Sequence, residues 1–551
     1  MPQPPSSTGA ERAAGARIAP AGAQAAIAPL PPGATAFVGR TLKGPVNRAT
    51  RVQGFGEFQQ IFGGLWQPAT LGYAVEQYFE QGGREAVIVR VANGGRAPTL
   101  SLPAGRSELL LRGVSPGTRE YLRASVDHDG VPAGDQLQFN LVLQRLRAPE
   151  SELIEDQEIY RQVTVDPDSP RSVERALEHS LLMRLAGPLP AQRPDRTTGH
   201  GGRSPVGYVA ARADGSDGEP LSDYDLIGDA EAGTGLFALL SGPRFDLLCV
   251  PPPARTGDVG AAVLLVASRI CRASQAMLLV DPPADWDTTA TALALAPHWH
   301  FHSEEAFMVF PRLLGLDRLR GRNELFAPCG AFAGLIARAD ATLPPGSPAA
   351  GMPPPLRGSL RPRCAISIEE RVQLSRLGLN TFDLHRPRPE EQLALRSLVG
   401  ENAGRSAARY VAPRRFALWM QACILEGTRW LCEESVQPAL WERARVQVAA
   451  FLRELADAGC FAGRAGEERW FVICDARLND AQSLAAGRRA LLFGFALQRP
   501  GEFQCCLVSH TQGGSSTRAV TLNRLIEPGM RVAEQVETSL LRQLATEAAL
   551  P

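Results

Sequence analysis

Lysine is almost missing from this chain of 551 residues: Lys43 stands alone, and the rest of the positive charge is arginine. The shortage excludes chemistry. A phosphate-binding loop needs Gly-Lys-Ser/Thr, and a Schiff-base enzyme needs a buried lysine amine. Lys43 is followed by Gly44-Pro45 and fits neither. Cysteine is sparse and scattered, with no Cys-x-x-Cys pair among the ten. That argues against a zinc ribbon or a thioredoxin-like redox site. Cys423, Cys432, Cys474, Cys505 and Cys506 sit in apolar runs, where cysteine behaves as a small core residue. No apolar run reaches the roughly 18 residues of a membrane-spanning helix. The N-terminus lacks a basic-plus-apolar leader, so the expectation is no signal peptide and assembly in a reducing cytoplasm. A bias of charge is lacking too. Lys+Arg and Asp+Glu both total 58, which removes any global pull toward nucleic acid or a membrane.

What is present is ordinary globular material, 44% hydrophobic and 21% charged, enough for several domains. Residues 1–30 are rich in Ala, Pro, Gly and Ser and read as a flexible arm. Thr35–Gly39 reads as a strand. Leu71–Gln81 reads as an amphipathic helix on the spacing of Leu71, Ala74, Val75, Tyr78 and Phe79, stopped by Gly82-Gly83. Ala86–Val91 is a buried strand, completing a βαβ unit. Short alternating runs from 97 to 222 predict an inserted β-rich domain that ends in a mobile Pro/Gly/Arg-rich loop at 187–220. Alternation of strand and helix resumes after Tyr224, with strands at Phe245–Val250, Ala276–Val280 and Ala306–Phe310. Helices are expected at Val259–Cys271, Ala331–Ala339, Glu369–Leu377, Phe416–Glu434 and from Pro438 to Gly459. Strands Trp470–Cys474, Ala490–Leu497, Phe503–His510 and Ala519–Leu525 follow, then a helix at 531–549.

Candidate chemical sites are few. Gly113-Val-Ser-Pro-Gly117 matches a nucleophile elbow, but a strand-like run follows it where a helix is required. Gly233-Thr-Gly235-Leu-Phe-Ala238 fits a loose dinucleotide fingerprint, yet Asp223, Asp225, Asp229 and Glu231 precede it and would repel a pyrophosphate. The same acids fail as a calcium loop, since Ile227 and Thr234 stand at two ligand positions. His298, His300 and His302 alternate, so on a strand they would share a face. They are the leading metal candidate, against a reading as a solvated or interface strand. No catalytic residue, cofactor site or basic-aromatic stripe emerges.

One stretch, 409–503, is denser than the rest. It shows Arg409, Tyr410, Arg414, Arg415, Leu440, Trp441, Phe451, Leu452, Gly459, Gly463, Val472, Cys474, Asp475, Asn479, Pro500, Glu502 and Phe503. In that order and spacing it resembles the C-terminal region of contractile tail sheath proteins, those of myophages and related contractile injection systems. Toward the N-terminus, Phe37, Gly39, Gly44, Pro45, Phe58, Phe62, Gly63, Gly64, Phe79, Gly82 and Gly83 are similar to the start of the sheath core. The sequence departs from the pattern at Ala412-Pro413, where the family has Asn before the Arg pair, and lacks a Pro-Gly-Val-Tyr arm.

The resemblance implies an α/β, multidomain sheath-like fold: a mixed sheet core flanked by helices with an inserted β-rich domain. The implied domains are an arm at 1–30, a discontinuous core of 31–96 and 223–400, an outward-facing insertion at 97–222, a C-terminal assembly domain at 401–526 and a helical tail at 527–551. It implies a structural subunit that polymerises with itself around an inner tail tube protein and contracts. Sheath paralogues, baseplate and cap proteins are further implied partners. Nucleic acid, direct membrane insertion and cofactors are not implied, and the setting is a virion or a released injection particle. Two alternatives stand beside it: a non-contractile, baseplate or cap-end component on the same fold, and an α/β enzyme with an inserted lid.

Overall fold

The structure, a computed structural model, describes residues 26–132, 134–149, 151–197, 207–341, 354–382, 393–399, 409–433, 438–464, 466–520 and 541. It falls into two units, Leu30–Ala422 and Cys423–Pro551 with Met1–Pro29. The first unit begins with β1 (Ala34–Gly39), every residue of which is buried. A strand buried on both faces belongs in the middle of a parallel sheet. Next come β2 (Thr50–Val52), α1 (Phe55–Phe62), α2 (Leu71–Gln81) and β3 (Ala86–Arg90). Both helices end on left-handed glycines, Gly63 at φ 88 and Gly82 at φ 119.

The chain then leaves the core. β4 (Thr99–Ala104), β5 (Ser107–Gly113), β6 (Tyr121–Asp127), β7 (Gln138–Leu146), β8 (Ile154–Thr164), α3 (Val173–Leu177), β9 (Met183–Leu185) and β10 (Val209–Ala210) make two antiparallel sheets, β4-β5-β9 and β10-β6-β7-β8. Their alternating inward residues, among them Leu100, Leu102, Leu109, Leu111, Leu141 and Leu143, form a core of their own.

The return brings α4 (Asp223–Ile227), β11 (Phe245–Cys249), α5 (Ala261–Ala273), β12 (Met277–Val280), α6 (Thr289–Leu295) and β13 (Ala306–Phe310). After these come the hairpin β14 (Leu313–Asp317) and β15 (Arg322–Phe326), α7 (Cys329–Asp340), β16 (Arg361–Pro362), α8 (Ile368–Arg376) and β17 (Leu379–Thr381). The main sheet runs β17-β13-β12-β11-β1-β3-β2, with only β2 antiparallel to its neighbour. Alternate residues face opposite cores. Ala36, Val38, Val87, Leu248 and Leu278 meet α5 through Val263, Ala267 and Ile270. Phe37, Ile88, Leu247, Leu279 and Phe307 meet α2 and α7 through Val75, Tyr78 and Phe332.

The unit boundary falls inside α9 (Val411–Gly427). The second unit continues with a 3-10 turn at Arg429–Cys432, α10 (Pro438–Asp457), α11 (Gly466–Arg469), β18 (Trp470–Ile473), α12 (Ala481–Ala485), β19 (Arg489–Phe495), β20 (Gln504–Thr511) and β21 (Gly514–Val520). These strands form an antiparallel meander in chain order. Ile27, at the start of the described chain, is buried, and a Cβ on Gly427 would come within 2.8 Å of it.

Several expectations need correction. The expected helix Phe416–Glu434 begins five residues earlier, because Pro413 sits in its first turn, where a missing N–H costs nothing. It stops at Gly427, and Arg429–Cys432 tightens into a 3-10 turn. His298 ends a 3-10 turn and His300 and His302 follow in irregular chain, so the three imidazoles do not share a strand face. The described parts of the 187–220 loop are strapped down: Arg212 N–H donates to Thr99 O and Ala211 N–H to Leu122 O, and Arg96 pairs with Ser216. The strand expected at Ala519–Leu525 begins at Gly514 and is described to Val520. The rest of that strand, the helix at 531–549 except Leu541, and most of the 1–30 arm lie outside the described residues.

Candidate assembly site

Arg409 and Tyr410 enter α9 through a short ladder with the 395–397 segment. Ser397 N–H donates to Arg409 O at 2.9 Å and Val411 N–H to Leu395 O at 3.0 Å. Arg396 lies over the Tyr410 ring, 5.8 Å from its centre. The two arginines that follow point to different carboxylates. Arg414 Nη2 donates to Glu305 Oε1 at 3.1 Å. Glu305 is also held by Arg272, through Nε at 2.8 Å and Nη2 at 3.0 Å, and accepts from Ser303 Oγ. Burial pushes the Glu305 carboxyl up, but Arg272 and Arg414 outweigh it and hold it below its ordinary value. Arg415 donates to both oxygens of Asp340, at 3.1 and 2.5 Å, and both side chains are buried. Burial would lower the Arg415 pKa; the Asp340 carboxylate overrides it and raises it. The start of α9 is thereby bolted to the turn before β13 through Glu305 and to α7 through Asp340.

The remaining motif residues near the N-terminus are internal fixtures. Phe37 packs edge-on against Tyr78 at 5.4 Å, and Phe62 stacks on Phe58 at 5.4 Å. Gly39 lies against Leu71. Gly44, at φ 101, sits so close to the end of α1 that a Cβ would meet Ile61 O at 2.7 Å. Its N–H donates to Glu120 Oε1 at 3.0 Å, in the insertion, and Pro45 follows it half-buried. Lys43, the lone lysine, is buried in an ion pair with Glu155 of β8. Arg145 closes on Glu120 at 3.0 Å, and Arg90 donates to Gly44 O at 2.6 Å and to Pro116 O at 2.7 Å. Core and insertion are thus joined by a buried polar seam rather than a bare linker.

In the second unit Trp441 is buried on α10, and Gly459 ends that helix region at φ 79. Asp475 pairs with Arg477 at 2.7 Å, and its carbonyl accepts from Asn479 N–H. Asn479 bonds Ala490 in both directions, at 2.8 and 2.7 Å, fixing the β18–β19 crossing. Pro500 and Glu502 lie in the turn before β20, where Glu502 pairs with Arg499 at 3.2 Å. Phe503 sets its ring edge-on to Phe471 at 5.1 Å. In the strand order β18 and β21 stand at the two ends of this sheet.

Among the described residues no three His, Cys, Asp or Glu side chains group to hold a metal ion, and no helix is long and apolar enough to cross a membrane. The turn at 113–117 joins two strands, and Gly235 begins a five-residue 3-10 helix whose first N–H is taken by Asn47 Oδ1. Sequence reading missed the polar partners Asp340, Glu120, Glu155 and Arg272. The separations run from 25 residues for Glu120 and Arg145 to 112 for Glu155 and Lys43, and no local pattern signals such a pairing.

No protein-family profile and no curated protein matches the sequence. Solved structures do. The sheath tail protein Lin1278 of Listeria innocua superposes with a TM-score of 0.52 at 12% identity, covering 90% of this chain and 96% of that one. The sheath of the PVC extracellular contractile injection system, contracted, gives 0.48 at 15% identity over 90% and 97%. The contracted helical sheath of the anti-feeding prophage gives 0.43 at 16% identity over 91% and 98%. The first of these carries the comparison, and by it the mixed α/β fold of this chain is the fold of a tail sheath protein.

Proposed function

We propose that this chain is a structural subunit of a contractile tail sheath, polymerising with itself around an inner tube and contracting to drive that tube through a target envelope. The observation that carries the reading is the fold likeness to the Listeria innocua sheath tail protein, which spans nearly all of both chains. Two features of the geometry support it. The C-terminal meander has β18 as an end strand with no second strand partner among the described residues, which suits strand addition by an arm of a neighbouring copy. The bolts from the start of α9 to Glu305 and Asp340, and the seam at Lys43, Glu120 and Glu155, hold the Leu30–Ala422 unit together, which suits a unit that keeps its own packing while contacts between copies repack.

On this reading the 401–526 region, with Arg409, Tyr410, Arg414, Arg415, Trp441, Gly459, Asp475, Pro500, Glu502 and Phe503, is the neighbour-linking module, and 97–222 faces outward. The motif residues act by shaping that module. The partners are further copies, an inner tube protein and components at the two ends of the tube. Work is stored in the assembled lattice, so no cofactor or nucleotide is called for. Negative-stain microscopy of the protein co-expressed with its tube protein tests the proposal. Tubes or stacked rings are the expected result; a monodisperse small particle at high concentration overturns it.

A further inference from the structure

Open parallel sheets take ligands in the crevice beyond the carboxyl ends of their strands. In this protein Arg312 occupies that place beyond β11 and β12. It donates through Nε to Pro282 O at 3.2 Å, through Nη1 to Arg255 O at 2.7 Å, and through Nη2 to Gly257 O at 3.1 Å and Asp258 Oδ1 at 2.9 Å. These bonds tie the loop after β11 to the loop after β12, and the guanidinium is buried. A small cavity remains on each side of this hub.

The first cavity, about 20 Å³, is bordered by Asp258, Asp281, Pro283 and Trp299. Among the described residues, two buried polar atoms of its lining have no partner, the acceptor Asp281 Oδ2 and the donor Trp299 Nε1. The other Asp281 oxygen is used, accepting from Cys329 N–H at 2.8 Å. The second cavity, about 10 Å³, is bordered by Gln77, Tyr73, Arg255 and Phe326. Here, again among the described residues, Gln77 Oε1 lacks a donor, while Arg255 Nε and Nη1 lack acceptors. Gln77 is 5% exposed. Each cavity therefore pairs an unused N–H with an unused oxygen that do not bond each other directly.

A water accepts from the first and donates to the second, and a single water needs about 10–15 Å³ of such space. The sizes leave no room for an organic ligand. A cation finds one free carboxylate oxygen in the first site, since Asp258 is bound to Arg312, and a guanidinium in the second. We propose that each cavity holds one ordered water, bridging Trp299 Nε1 to Asp281 Oδ2 in the first and Arg255 to Gln77 Oε1 in the second. The space beyond the carboxyl ends of β11 and β12 is then filled by the chain's own arginine and two waters. Burial pushes the Asp281 carboxyl up to about 6, as befits an acid with one oxygen short of protein donors.

The test is an experimental structure of the full chain, as crystal or assembled tube, at a resolution that shows waters. The expected result is one density peak within hydrogen-bond distance of Trp299 Nε1 and Asp281 Oδ2, and one within reach of Gln77 Oε1 and Arg255. Empty cavities, side chains turned to bond each other directly, or larger density overturn the proposal. In a Trp299→Phe variant the first peak should vanish or shift toward Asp281 while the second stays. A first peak left unchanged in that variant removes the indole from the site and overturns the bridge.

Discussion

Arg415 and Asp340, 75 residues apart in sequence, meet as a buried pair with two parallel hydrogen bonds. The pair joins the start of α9 to the end of α7, and both members are less than 10% exposed. Removing one partner leaves a charge buried without its mate, which costs about 3–5 kcal/mol. Arg415→Met should therefore lose stability on that scale in urea unfolding. The double variant Arg415→Met, Asp340→Leu should recover most of it, because two apolar side chains remove both charges. A single-variant loss under about 1 kcal/mol would count against the bolt.

Gly330 gives a prediction whose sign is diagnostic. Alanine in place of an exposed helical glycine stabilises by about 1 kcal/mol. Gly330 lies on the face of α7 that touches α2, where a Cβ would stand 2.0 Å from Ala74 O. Gly330→Ala should destabilise instead, by about 1–3 kcal/mol, as the helices are forced apart. Circular-dichroism melts compare it with the wild type; a raised midpoint would refute the close approach.

His510 should make acid unfolding steeper. It is fully buried, with Nε2 2.8 Å from Thr428 Oγ1 and Nδ1 2.7 Å from Ser515 Oγ. The Thr428 hydroxyl gives its proton to Ile424 O, so Nε2 carries the imidazole hydrogen. Burial, aided by Arg429, lowers the ring's pKa to about 4. The unfolded state then binds more protons between the ordinary value of 6.5 and about 4, so stability is full above 6.5 and falls as pH drops through that window. The loss is on the order of 3 kcal/mol. A His510→Gln variant should lack that slope when unfolding is measured from pH 7 to pH 4. Parallel slopes in the two proteins would sink the assignment.

The arm can be separated from the fold. Deleting residues 1–25 spares Ile27, which is buried. If the segment links neighbours, the truncated protein should keep its melting midpoint and lose tube formation under the microscope. Undiminished tubes would show that these residues are no linkage.

Much of the architecture is readable along the chain because its causes are local. Continuous apolar runs such as 86–89 and Ala306–Phe310 are strands buried on both faces, and no polar residue interrupts them. Left-handed glycines mark the ends of α1 and α2 because only glycine takes that backbone cheaply. The histidines at 298–302 misled because alternation alone cannot tell a strand from irregular chain, and Pro297 opens a 3-10 turn there. Most motif residues near the N-terminus, among them Phe37, Gly39, Gly44 and Phe62, turned out to be packing and turn positions, which is why their spacing carried the fold more clearly than any contact.

The sequence by itself determined most of the described helices and strands and the near absence of lysine. Tertiary structure alone decided which of 58 basic groups meets which of 58 acids. Arg414 goes to Glu305, Arg415 to Asp340, and the single lysine to Glu155. Helix and strand follow from contacts within a few residues and from periodic burial, which a sequence displays. An ion pair depends on where two distant segments come to rest, and charge acts through space with no record of chain order.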